Sequence, residues 1–223
     1  MKIKAVLFDL GGTLVKTSSI PEVMKKILET YDIERSTEEI EQARKAADKH
    51  VDIEELPVLG DEFWVRWNTQ ILEHIGIRKN VSFLADKITK LWWHHADVKL
   101  YPDAEKTLKS LRQSGLKVGL ITNGLESDVR EILSKVGLTE FFDVEVASNT
   151  VGKMKPNREM FLYALKKLEV LPQEALFIGD MLEQDYKGAK KIGLKALLID
   201  REKNINDEDI EKIESLTKLL EYI

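Results

Sequence analysis

Apolar positions follow two patterns along the chain. Five short runs are apolar without alternating: Ile3–Phe8, Lys117–Ile121, Val144–Ala147, Ala175–Ile178 and Ala196–Ile199. Their length and continuity predict parallel strands buried on both faces. Between the later runs, apolar residues recur with helical period and predict helices over Ala104–Gln113, Ser127–Val136, Arg158–Leu168 and Tyr186–Ile192. Gly115, Gly137 and Gly193 follow three of these where a left-handed helix cap is expected. Repeated strand–helix alternation predicts an α/β fold, a doubly wound parallel sheet with right-handed crossovers.

Residues 16–99 break that rhythm. They read as helices only, near Pro21–Tyr31, Thr37–His50, Asp61–Ile75 and Val81–His95. Ser36 with Glu39 fits a capping box at the start of the second. Val23, Ile27 and Leu28, and then Phe63, Trp67, Ile71 and Leu72, make apolar faces at helical spacing. The division expected is a core of residues 1–15 and 100–223, with residues 16–99 as an inserted α-helical domain. Trp64, Trp67, Trp92 and Trp93 read as packing within that insertion. His94 and His95 are adjacent on a helix and face different directions, which argues against joint ligation. The acidic stretch Asp52–Asp61, with Pro57 and Gly60, reads as a loop, and Asp207–Tyr222 reads as a closing helix.

Composition narrows the function. The chain of 223 residues has 34 basic and 39 acidic side chains, a formal charge of −5, which gives no reason to expect nucleic acid or an anionic membrane as partner. It has no cysteine, so disulfides, thiolate metal sites and a cysteine nucleophile are excluded. No apolar run approaches the length of a membrane span, and Asp9 arrives before a signal-peptide core could form. A soluble cytoplasmic protein is expected.

In open parallel sheets, ligands bind beyond the carboxyl ends of the strands, where strand order reverses. After the first predicted strand stand Asp9-Leu10-Gly11-Gly12-Thr13, and after the second Thr122-Asn123-Gly124. Beyond the third lies Gly152-Lys153-Met154-Lys155-Pro156, and after the fourth come Gly179-Asp180 and then Asp185. Two strand-end carboxylates suit a hard cation such as Mg²⁺, which also binds substrate phosphate. Thr122, Lys155 and backbone amides near Gly11 and Gly12 could hold the remaining phosphoryl oxygens. An aspartate so placed can serve as a nucleophile.

These four segments, in this order, resemble the motifs of the haloacid-dehalogenase superfamily, and the resemblance covers nearly the whole chain. Phe8–Leu14 looks like its first motif, Leu120–Gly124 the second, Lys155-Pro156 the third, and Gly179-Asp180 to Asp185 the fourth. The helical insertion resembles the cap of the family's first subclass, on a Rossmann-like core. The resemblance implies that Asp9 is the nucleophile and a Mg²⁺ ligand. Asp180 is implied as the second carboxylate ligand, and Gly11 as a ligand through its carbonyl. It assigns phosphate binding to Gly12, Thr13, Thr122, Asn123 and Lys155, with Lys155 also offsetting the charge on Asp9. Asp185 is implied to coordinate through water or to orient Lys155.

One departure matters. Phosphatases of this family usually carry a second aspartate two positions after the nucleophile, as general acid and base; here that position is Gly11. Losing such a group typically costs about 10²–10⁴ in rate. Three readings stand. The chain is a slow Mg²⁺-dependent phosphatase of a small phosphorylated metabolite, or it draws the proton from elsewhere, or it does other chemistry. The alternatives are a 2-haloacid dehalogenase, disfavoured by the Gly179-Asp180 pair, and a binding or regulatory protein on this scaffold. Phosphoglycolate, a sugar phosphate and glyceraldehyde phosphate are the substrates the resemblance suggests, and the chain is expected to be a monomer or homodimer.

Overall fold

The computed structural model describes residues 2–223. It falls into two compact units, the residues through Lys16 together with Lys99–Ile223, and Thr17–Val98.

The first unit is built on a six-stranded, all-parallel sheet. Its strands are β1 (Ala5–Phe8), β4 (Lys117–Ile121), β5 (Val144–Val146), β6 (Ala175–Gly179), β7 (Lys195–Ile199) and β8 (Lys212–Ile213), in the order β5-β4-β1-β6-β7-β8. Every residue of β1 and β6 is buried, which is why these runs are continuously apolar. Helices Ala104–Gln113, Glu126–Val136 and Arg158–Leu168 lie between strands, and the last packs on the sheet through Met160, Phe161, Ala164 and Leu165. Gly115, Gly137 and Gly193 have φ of +74°, +73° and +89°, the left-handed closure expected of them. From β1 the sheet grows outward through β4 and β5 on one side and through β6, β7 and β8 on the other. The switch point therefore lies beside β1, with the carboxyl ends of β4 and β6 flanking it.

Two further short strands, β2 (Val15–Lys16) and β3 (Lys99–Leu100), pair antiparallel, so the chain leaves and re-enters this unit side by side. The second unit consists of helices Ile20–Glu29, Thr37–Ala47, Asp61–His74 and Val81–His95, with the short helix Leu56–Leu59 in the acidic stretch read as loop. Its core joins Val23, Ile27, Ile40, Ile71, Leu84 and Ile88, and Trp67 is buried there while Trp64, Trp92 and Trp93 pack around it. Ser36 and Glu39 form the expected capping box. Among the described residues, no helix is long and apolar enough to cross a membrane.

Two expectations fail. The segment Asp207–Tyr222 is not a helix: Lys212–Ile213 extends the sheet, and Leu216–Glu221 is a 3₁₀ turn. Ile210, Ile213, Leu216 and Leu219 are its buried residues, spaced by three. That spacing imitates an α-helical stripe, yet Ile213 is buried from a strand, and Leu216 and Leu219 alone of the four lie in the 3₁₀ helix, whose three residues per turn match their separation. The helix expected at Tyr186–Ile192 begins earlier, as a π-helical turn over Leu182–Lys187 followed by Gly188–Lys191.

Candidate active site

The carboxyl end of β1 delivers Asp9 to the switch point. Its amide donates to the Ile178 carbonyl of β6 at 2.8 Å, which carries the sheet register to the first residue beyond the strand. Lys155 arrives from the loop after β5. Its ammonium donates to Asp9 Oδ1 at 2.6 Å and to Asp185 Oδ1 at 2.7 Å, and its side chain is 2% exposed. Lys153, the competing lysine, is exposed. Asp185 is fully buried, and its second oxygen accepts the Met181 amide at 3.0 Å. The π-helical turn makes this possible, because the Asp185 and Tyr186 amides both donate to the Met181 carbonyl, at 2.9 and 3.3 Å. The widened turn brings Asp185 back under the end of β6.

Asp9, Asp180 and Asp185 each offer a carboxylate oxygen, all within 4.8 Å of one another. Against these three charges stands the single ammonium of Lys155. Burial pushes the Asp9 carboxyl up to about 7, opposed by Lys155 and reinforced by the charges of Asp185 and Asp180. Burial and then Asp185 raise the Asp180 carboxyl as well. Burial alone would lower Lys155, but the Asp9 and Asp185 carboxylates more than offset it and hold its ammonium charged. The site thus carries an excess of negative charge that its own residues leave uncompensated. A divalent cation with oxygen preference fits this donor set.

Two glycines give the carboxylates room. A Cβ on Gly12, whose φ is +74°, would stand 2.2 Å from Asp180 Oδ2, and one on Gly179 would stand 2.3 Å from the Asp185 carboxyl carbon. Gly11 is exposed, and a Cβ there would meet nothing within 4 Å.

Several residues expected to touch phosphate hold protein partners in this structure. The Gly12 amide donates to the Val15 carbonyl at 2.8 Å and so closes the loop. Thr13 is buried with its hydroxyl unpartnered, and it serves the loop through its carbonyl. Asn123 accepts the Lys155 amide at 2.6 Å through Oδ1, while its Nδ2 donates to the Lys155 carbonyl at 3.2 Å and to Gln184 Oε1 at 3.0 Å. Both ends of its amide are thereby committed to holding the Lys155 backbone. Thr122 stays at the end of β4 with its hydroxyl accepting from the Gly124 amide at 3.3 Å.

The sequence model of the haloacid dehalogenase-like hydrolase family matches residues 3–193. The chain belongs to that family. A glyceraldehyde 3-phosphate phosphatase of Methanopyrus kandleri is 31% identical over 95% of this chain and 92% of its own length. Among solved structures, a HAD phosphatase from Thermococcus onnurineus superposes with a TM-score of 0.66 at 27% identity, covering 99% of this chain and 97% of its own. A 2-haloacid dehalogenase from Pseudomonas syringae pv. Tomato DC3000 superposes with a TM-score of 0.73 at 25% identity, covering 98% and 97%.

Two supporting contacts of this haloacid dehalogenase-like hydrolase were not legible in its sequence. Gln184 meets Asn123 across 61 residues. Arg201, outside the matched segment, pairs with Asp103 across 98 residues and donates to the Thr13 carbonyl. Both depend on tertiary proximity, which local spacing does not record.

Proposed function

We propose that the protein is a Mg²⁺-dependent phosphatase of small phosphomonoesters that works through a phosphoryl group carried on Asp9. The observation that carries this reading is the cluster of Asp9, Asp180 and Asp185 around the Lys155 ammonium. Asp9 and Asp180, with the Gly11 carbonyl, would hold the cation. Asp185 has both oxygens engaged by protein donors, which suits it to orienting Lys155. Bound there, Mg²⁺ would supply charge neutralisation for a phosphoryl group beside a carboxylate nucleophile.

A carboxylate oxygen of Asp9 attacks phosphorus, the bond from phosphorus to the ester oxygen breaks, and the ester oxygen departs with the electron pair as an alkoxide or aryloxide that takes its proton from solvent water. Water then displaces Asp9 from phosphorus, releasing inorganic phosphate and restoring the carboxylate. Lys155 and Thr122 bind the phosphoryl oxygens as charge builds on them. Residue 11 supplies no acid or base to either step. The first step therefore favours leaving groups that need no proton, and the second is slow.

The acidic cluster favours this reading over dehalogenation, because displacement of halide by a carboxylate needs no second and third acidic group around the nucleophile. The relative in Methanopyrus kandleri supports a three-carbon sugar phosphate as the substrate class. Release of p-nitrophenol from p-nitrophenyl phosphate, and of phosphate from glyceraldehyde 3-phosphate, tests the proposal with Mg²⁺, with EDTA and with Asp9→Asn. Release that needs Mg²⁺ and falls at least about 10³-fold in the variant is expected. Release that survives either EDTA or the variant contradicts it.

A further inference from the structure

The loop that carries Asp9 is held from a direction that the family motifs do not include. Arg201 follows the end of β7 on a pinned turn, where the Asp200 carboxylate accepts the Asn204 and Ile205 amides at 3.0 and 2.9 Å. Its guanidinium lies 3.7 Å from the centre of the Tyr101 ring. Nη1 donates to Asp103 Oδ2 at 2.9 Å, and Nη2 donates to Asp103 Oδ1 at 3.1 Å and to the Thr13 carbonyl at 2.7 Å. Asp103 is fixed in turn by the Ser215 hydroxyl at 2.7 Å and the Leu216 amide at 2.8 Å. Both charged side chains are largely shielded, at 17% and 13% exposure.

This arrangement joins three stretches of chain: the loop after β1, the segment that returns from the helical unit, and the C-terminal segment. We propose that Arg201 is a positioning residue for the reaction, holding the Gly11–Thr13 turn through the Thr13 carbonyl so that Gly12 stays packed on Asp180 and Asp9 stays at the switch point. The bidentate fork on Asp103 and stacking on Tyr101 fix the guanidinium plane, which leaves one N–H aimed at the Thr13 carbonyl. The turn has little slack, since Gly12 approaches Asp180 so closely that no Cβ fits between them. A displaced Thr13 carbonyl therefore moves Asp9 and Asp180 relative to each other. Misplacement by about 1 Å is enough to slow a positioned reaction by about 10². Arg201 lies eight residues beyond the segment that the family model matches. Its charge also counters the upward push on the Asp180 carboxyl.

The kinetic part of the test rests on the phosphatase reading, and the structural part does not. The variants are R201Q, which removes the fork and the charge, and S215A, which loosens Asp103 without touching Thr13. Hydrogen exchange over residues 10–15 is read alongside kcat and KM for p-nitrophenyl phosphate. R201Q is expected to exchange those amides at least about threefold faster and to lose about tenfold or more in kcat, with KM within about threefold of wild type. S215A is expected to lower thermal stability while leaving both readouts within about threefold. Unchanged exchange in R201Q, an unchanged kcat, or a kcat loss that S215A reproduces overturns the proposal. If R201Q does not fold, R201K, which keeps the charge but lacks the fork, is judged by the same thresholds. If the wild type shows no turnover, the phosphatase reading fails, and the exchange comparison still decides whether Arg201 holds the loop.

Discussion

At the scale of single residues, the site is governed by a mismatch of charge. Asp9, Asp180 and Asp185 converge within 4.8 Å, and among the described residues the Lys155 ammonium is the cation paired directly with them, through Asp9 and Asp185. Burial, with the charges of Asp185 and Asp180 adding to it against Lys155, raises Asp9 to about 7 from an ordinary 3.8. Because the folded value lies above the unfolded one, the stability Asp9 contributes is full below its ordinary value and is lost as pH rises through about 7. A cation that needs the ionised carboxylate displaces that proton. Calorimetric Mg²⁺ titration from about pH 5 to about pH 8 is therefore expected to show apparent affinity rising about tenfold per pH unit and levelling above about 7. Mg²⁺ affinity that is flat across this window would mean that Asp9 does not meet the cation. Asp9 and Asp180 were legible because they stand just beyond predicted strands, whereas Lys155 and Asp185 lie further along the loops and were singled out through the resemblance to the family motifs. What Asn123 does was not legible, because a side chain that holds backbone leaves the same trace in sequence as one that holds phosphate; the Arg201 contact to the Thr13 carbonyl is invisible because a main-chain atom leaves no trace at all.

At the scale of elements, close backbone approach decides what the loops can hold. Gly12 and Gly137 have nearly equal φ, +74° and +73°, yet a Cβ meets Asp180 at 2.2 Å in the first and nothing within 4 Å in the second. The left-handed backbone alone costs a non-glycine residue about 1–2 kcal/mol. Gly137→Ala should lose about that much unfolding free energy in denaturant titration, and Gly12→Ala at least as much, because its Cβ also collides with Asp180. Only Gly12→Ala is expected to weaken Mg²⁺ binding, by about tenfold or more, because Asp180 is displaced. Equal Mg²⁺ affinities in the two variants would show that the contact with Asp180 is unimportant. The strands were readable because a strand buried on both faces has no polar position to interrupt it. The π-helical turn over Leu182–Lys187 was not, since the helical segment there is too short for the phase shift of one inserted residue to show in its apolar pattern.

At the scale of the whole molecule, a parallel sheet with β1 at its switch point brings residues distant in sequence to one edge. Lys155 reaches Asp9 across 146 residues and Asp185 across 30. Strand–helix alternation announced the sheet. It did not announce the sixth strand at Lys212–Ile213, where buried residues spaced by three favoured a helical reading. Gly11 belongs to this scale as well, because in the proposed reaction the rate of the whole cycle would turn on it. In the proposed reaction, with no acid or base at that position and open space around it, water would be slow to clear a phosphoryl group from Asp9. The most direct test is acid-quenched mass spectrometry of the peptide containing Asp9, during turnover of excess p-nitrophenyl phosphate with Mg²⁺. A phosphoryl group on Asp9 that accumulates in the wild type and drains in Gly11→Asp is the predicted result. Turnover with no phosphoryl group on Asp9 at any time, or with the group on another residue, would contradict the account.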